Sequence, residues 1–154
     1  MSPTQNLGYL VQHLAMVMGK QSEEVLQREL GIGLSQYRIL AVLDWNPRVQ
    51  QSVIASSLGQ SEASISRQIK ILEKRDLVMV EKDPLNRRKH IARPTPKGMQ
   101  VTEEANNIIR RNLSPEYSNM GEAELVQLAK GLVDLHKLIC RRGRKGSCNH
   151  PLGI

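Results

Sequence analysis

The sequence predicts a mainly α protein with a small β-wing, in which a helix-turn-helix and a basic hairpin are flanked by long helices at both ends. Three observations predict it. Helical periodicity runs through most of the chain, the pattern changes to alternation over Leu77–Lys82, and Gln51 to Lys74 carries the residue types that a helix-turn-helix needs. At 154 residues the chain suits a single domain over 1–154, long enough to bury a core. It is 40% hydrophobic but only 3% aromatic, with no Phe, so Leu, Ile, Val, Met and Ala must build that core, which suits packed helices.

The elements follow in order. Leu7, Leu10, Val11, Leu14 and Met18 recur at steps of three and four, predicting a helix over 5–30 that ends at Gly31 and Gly33. A second helix is expected from Ser35 as N-cap to Trp45, where Asn46-Pro47 stops it. Helices over Gln51–Leu58 and Glu62–Arg75 come next, joined by Gly59-Gln60-Ser61. Leu77–Lys82 alternates as a strand, Asp83-Pro84-Leu85-Asn86 supplies turn chemistry, and His90–Arg93 returns as its partner. A helix over Met99–Leu113 is expected to break at Ser114-Pro115. A last helix runs from Glu122 to Cys140, its Leu125, Leu128, Leu132, Leu135 and Ile139 spaced to pack along another helix. The basic, glycine-containing tail over 141–154 is expected to be disordered.

Lys and Arg number 22 against 15 Asp and Glu, a net charge of +7 that favours a polyanionic partner, nucleic acid or an anionic membrane surface. Met1-Ser2-Pro3-Thr4 opens no secretory leader, and the apolar run Leu14–Met18 is far short of a membrane span. A cytoplasmic location without a membrane partner is expected.

Within Gln51–Lys74, Ala55 is the small residue where two helices cross, Gly59 sits in the turn four residues later, and Ile65 locks the second helix to the first. At about 100° per residue, Ile65, Ile69 and Leu72 form one buried stripe. Ala63, Arg67, Lys70 and Lys74 face the other way, flanked by Ser64, Ser66 and Ile71, with Ser61 as N-cap. Small side chains admit a backbone to the major groove, serine bonds bases or phosphates, and arginine reads guanine. The plainer alternative is an amphipathic helix with a solvated face. Arg87, Arg88 and Lys89, at the tip of the hairpin that follows, favour phosphate and minor-groove contact over a solvated turn.

Leu72-Glu73-Lys74-Arg75-Asp76-Leu77-Val78, Asp83-Pro84-Leu85-Asn86-Arg87-Arg88 and Pro94-Thr95-Pro96-Lys97-Gly98 together resemble the signature of the MarR (multiple antibiotic resistance regulator) family, which runs LEKRGLV, DPxDRR and LTxKG at the same spacing. The resemblance implies a winged helix-turn-helix over 33–98, dimerisation helices over 5–30 and 99–140, and a homodimer that reads a pseudo-palindrome in double-stranded DNA. It matches Arg88 to the wing arginine of the minor groove, and Ser64, Ser66 and Arg67 to recognition-helix positions. Gln68 joins these as a further DNA-binding candidate. Three departures concern wing geometry: Asn86 replaces an aspartate, Asp76 a glycine and Pro94 a leucine. The resemblance also implies a small aromatic effector, for which His13, Met16, Tyr37, Arg38 and Trp45 are candidates; each also suits a packing role.

Cys140 and Cys148, with His136 and His150, offer a redox switch or metal site, but their spacing matches no metal motif and an inert edge cysteine is the plainer alternative. No phosphate-cradling glycine loop, zinc-protease helix or nucleophile elbow is present, so neither an enzyme nor a cofactor is expected. The competing class is a winged helix that binds protein, which an exposed apolar patch on the second helix would favour.

Overall fold

The computed structural model describes residues 6–140, of which 113–116 are described in backbone only. Six helices and three strands follow in the order α1 (Leu7–Leu30), α2 (Leu34–Trp45), β1 (Val49–Gln50), α3 (Gln51–Leu58), α4 (Glu62–Lys74), β2 (Val78–Lys82), β3 (His90–Pro94), α5 (Pro96–Tyr117) and α6 (Glu122–Ile139).

The aliphatic core forms where these elements converge. Leu26 of α1, Ile39, Leu40 and Leu43 of α2, Ile54 of α3 and Ile65, Ile69 and Leu72 of α4 are fully buried together with Ile32, Leu77 and Val78. The predicted stripe of α4 is therefore its buried face. α1 ends in a left-handed Gly31 at φ 62°. Its last carbonyls are capped from a distance: the Arg75 guanidinium donates to Gly31 O at 2.6 Å and Leu30 O at 3.0 Å. A cation at a helix C-terminus also complements the helix dipole.

Three elements differ from expectation. Ser35 is not the N-cap of α2; Gly33 is, with its N–H donating to Gln36 Oε1 at 3.2 Å, while the Glu23 carboxylate of α1 accepts from Leu34 N–H. A carboxylate is a stronger acceptor at a helix N-terminus than a hydroxyl. Ser35 lies inside the helix and accepts from Gln60 Nε2 at 3.4 Å, tying α2 to the helix-turn-helix turn. β1 went unforeseen, since two residues are too few to show alternation.

α5 begins at Pro96 rather than Met99. Thr95 Oγ1 accepts from Gly98 N–H at 2.9 Å, and Pro96 stands at the first helical position, where its missing N–H costs nothing. The same helix continues through Ser114-Pro115 to Tyr117, because a proline two residues from the end removes only one backbone bond from a 22-residue helix.

The sheet is antiparallel in the order β1-β3-β2, so β3 is central. Pro94 is tolerated there by its register. Thr95 N–H donates to Leu77 O at 3.1 Å, which makes the next pair, Val78 with Pro94, one that exchanges no ladder bonds. Pro94 therefore turns its donorless nitrogen away from β2, and β1 ends at Val49 opposite Ala92, short of it. Asp76 adopts the left-handed conformation at φ 59°, the only non-glycine residue among those described to do so.

α6 buries none of its residues, and Val126, Leu128, Leu132, Leu138 and Ile139 are exposed along it. The N-terminal half of α1 likewise exposes Leu7, Leu10 and Leu14. Among the described residues no helix is long and apolar enough to cross a membrane. The expected disordered tail, with Cys148 and His150, lies outside the described residues.

Candidate nucleic-acid interface

α3 and α4 meet as the residue pattern requires. Ala55 is buried at the crossing, and Gly59 takes φ 63° to turn the chain between the helices. Ser61 caps α4 by accepting from Ser64 N–H at 3.2 Å. Arg67, Lys70 and Lys74 are exposed on the face opposite Ile65, Ile69 and Leu72, with Ala63 beside them.

The remaining polar candidates on α4 are less free. Ser64 Oγ donates to Gln60 Oε1 at 3.3 Å, and Gln68, half-buried, accepts from Gln36 Nε2 at 3.3 Å, so it faces α2. Ser66 lines the cleft between α4 and the wing with Lys70, Glu73, Lys82 and His90.

The wing is braced from below. The Asp83 carboxylate is buried; its Oδ1 accepts from Leu85 N–H at 2.9 Å and its Oδ2 from Gln50 Nε2 at 2.7 Å. Gln50 Oε1 in turn accepts from Lys89 Nζ at 3.2 Å, so one half-buried side chain on β1 holds both arms of the wing. Glu81 lies 3.0 Å from the Arg48 guanidinium and 3.2 Å from that of Arg93, clipping the same corner. Sequence reasoning missed this brace. Asp83 carried an Asx-turn signal, but nothing local marked Gln50.

Asn86, in place of an aspartate, accepts from the backbone N–H of Arg88 at 3.2 Å, so it holds the arginine's main chain. Arg87 and Arg88 are exposed at the tip, whereas the Lys89 ammonium is folded back on Gln50. The charged surface thus consists of an arginine-tipped wing beside the outward face of α4.

The N–H of Leu85 holds the Asp83 carboxyl below the usual carboxylate range, against burial; Gln50, the N–H of Asn86 and the charge of Arg48 add to the lowering. A lowered value means that this brace is complete above the usual carboxylate range and is lost as pH falls through the folded value. Acid titration followed by NMR is expected to shift the Leu85 and Asn86 amides together below the ordinary aspartate range, and Asp83→Asn to abolish that step. Amides that titrate identically in both proteins would refute the brace.

The five effector candidates occupy separate places. Tyr9 and His13 stack on α1 with centroids 5.7 Å apart, and Met16 is exposed on the same helix. Trp45 is exposed at the end of α2, as is Arg38 earlier in that helix. Tyr37 is half-buried and donates from its hydroxyl to Asn106 Oδ1 of α5 at 2.7 Å; burial and then the charge of Asp44 raise its pKa. A cleft between α2 and α5 is lined by Asp44, Met99, Gln100, Glu103 and Asn106, and Tyr37 adjoins it through Asn106. Among the described residues no group of His, Cys, Asp and Glu is placed to hold a metal.

A helix-turn-helix followed by an antiparallel β-hairpin, each presenting basic side chains, defines the winged helix-turn-helix class. Residues 32–90 match the model of the MarR family. The chain is 24% identical over 129 residues to a protein assigned as a transcriptional regulatory protein for the hcr operon of Thauera aromatica, covering 82% of this chain and 78% of that one.

Among solved structures, the transcriptional regulator BldR from Sulfolobus solfataricus superposes with a TM-score of 0.77 at 22% identity, over 88% of this chain and 97% of that one. Wild-type MarR from E. coli in its apo form gives 0.77 at 18%, over 88% and 98%. A mutant E. coli MarR complexed with operator DNA gives 0.71 at 17%, over 84% and 92%. At these identities the structural likeness is one of fold. Residues 32–90 thus carry the likeness to the MarR family, and the fold around them is that of its solved members.

Proposed function

We propose that the chain is a homodimeric, sequence-specific repressor that binds a pseudo-palindromic operator. Residues 33–98 serve as the DNA-binding region, and the helices over 5–30 and 99–140 serve dimerisation. One observation carries the DNA reading: the exposed face of α4 holds Ala63, Arg67, Lys70 and Lys74 next to a braced wing tipped by Arg87 and Arg88. In a dimer the two α4 helices enter successive major grooves about 34 Å apart. Arg67 and Ser64 read bases, Ser61, Ser66, Lys70, Lys74, Arg87 and Lys89 contact phosphates, and Arg88 enters the minor groove. Gln68, held by Gln36, contributes by positioning α4. Occupation of a promoter by this dimer blocks polymerase, and an aromatic effector bound beside Tyr37 releases it.

The competing protein-binding module calls for an apolar patch on α4. The only large apolar side chain that α4 exposes is Ile71, close to Arg67, Lys70 and Lys74, which favours DNA.

Selection of bound duplexes from a random pool, followed by salt titration, tests the proposal. A roughly palindromic motif with a steep salt slope is expected; recovery of no motif would overturn sequence-specific binding. On the selected duplex, Arg67→Ala is expected to cost about 1–3 kcal/mol and relax specificity, whereas Lys74→Ala weakens all sequences alike. Equal losses on selected and random DNA for Arg67→Ala would remove it from base readout.

A further inference from the structure

The wing tip carries an apolar side chain where a solvated turn has no use for one. Leu85 is 96% exposed, the highest value among the large hydrophobic side chains described. It is not on a loose loop. Pro84 precedes it with a fixed φ, and its own N–H is held by the buried Asp83 carboxylate at 2.9 Å. Around it, Asp83 N–H donates to Lys89 O at 2.9 Å, Asn86 N–H to Asp83 O at 3.2 Å and Lys89 N–H to Asn86 O at 2.8 Å. A braced turn therefore projects Leu85 into solvent.

Charge identifies what covers it. Residues 84–89 read Pro-Leu-Asn-Arg-Arg-Lys, with no acid among them, and the carboxylate just before them is buried. The surface that suits such a tip is strongly negative and also offers an apolar wall. The DNA minor groove has both: its potential attracts arginine, and its deoxyribose walls accept apolar side chains.

We infer that Leu85 packs into the minor groove beside Arg88, adding apolar contact to an otherwise electrostatic wing. The inference rests on the DNA-binding reading above, and it makes the wing tip a determinant of affinity that depends on groove shape rather than on phosphate charge.

The test uses full-length protein and the duplex recovered by selection, with binding read by fluorescence anisotropy. Leu85→Ala is expected to weaken binding by about tenfold, the scale of re-exposing a leucine side chain, and Leu85→Met to retain most of the affinity. The salt slope of Leu85→Ala stays that of the wild type because no phosphate contact is lost, whereas Arg88→Ala flattens it. Replacing adenines beneath the wing by 2,6-diaminopurine adds amino groups to the minor groove alone. It should weaken the wild type more than Leu85→Ala. Leu85→Ala binding within twofold of wild type, or an equal diaminopurine effect on both proteins, overturns the inference and leaves DNA binding intact. A wild type that binds no duplex overturns both.

Discussion

Gly98→Ala is expected to lower stability by about 3 kcal/mol or more, the upper end of what overpacking a closed site costs. A Cβ at this position would lie 1.9 Å from the Leu77 carbonyl oxygen, 2.9 Å from its carbon and 3.3 Å from its Cα. All three are backbone atoms, so no side-chain rotation relieves the overlap. The Leu77 backbone is itself committed: its carbonyl accepts from Thr95 N–H at 3.1 Å, its N–H donates to Leu72 O at 2.9 Å, and its side chain is buried. Gly98 is equally fixed, since its N–H donates to Thr95 Oγ1 and its carbonyl accepts from Thr102 Oγ1 at 2.8 Å. Moving either segment breaks the joint between β2, β3 and α5. Urea unfolding at matched protein concentration reads the effect. A loss under about 1 kcal/mol would show that the joint yields and that the glycine is not required for packing.

The second large effect is expected from the paired change Leu128→Asp with Leu132→Asp. Both leucines are 47% exposed on a helix that buries nothing within its own protomer, and with Leu7, Met120 and Leu135 they line one groove between α1 and α6. Leaving an apolar face of that length in water is unfavourable, and in the proposed homodimer a second copy with the same face would cover both at once. Placing two carboxylates there is expected to convert a dimer to a monomer in analytical ultracentrifugation. Operator affinity should fall about a hundredfold or more, since the second half-site no longer binds as an intramolecular event. Because α6 contributes nothing to the core, the unfolding transition of the winged domain should survive. A paired variant that still sediments as a dimer would refute the assignment of this face.

These two predictions differ in how visible they are in the residues alone. The α6 face could be read directly, because Leu125, Leu128, Leu132 and Leu135 sit at helical spacing whatever lies nearby. The helix-turn-helix was legible for the same reason: Ala55, Gly59, Ser61 and Ile65 all fall within one short window of sequence. The hairpin showed itself through alternation and a turn. The need for glycine at 98 came only as part of a family pattern, and its cause is a carbonyl 21 positions earlier.

Local signals also misplaced the start of α2 and the end of α5. Ser35 has the chemistry of an N-cap, but Glu23 reached that helix end first, from another helix. Pro115 has the chemistry of a helix breaker, but near the end of a long helix it removes one bond and the helix continues. The polar candidates on α4 were sorted in the same way. Their angles placed Arg67, Lys70 and Lys74 outward, whereas only contacts from α2 and the turn show that Gln68 and Ser64 are engaged within the protein.

By itself, then, the sequence determined the helix-turn-helix, the basic wing, the two flanking helices and the aliphatic make-up of the core. Each of those follows from periodicity, turn chemistry or charge within a short window. Only the tertiary structure decided how the wing is held: by Gln50 of a two-residue strand joining Asp83 to Lys89, and by a register that leaves Pro94 beyond the end of β1. It alone also decided that Arg75 closes the end of α1 and that Gly98 lies under Leu77. Those contacts join residues 21 to 45 positions apart, and no local propensity encodes which distant atom a folded chain brings within reach.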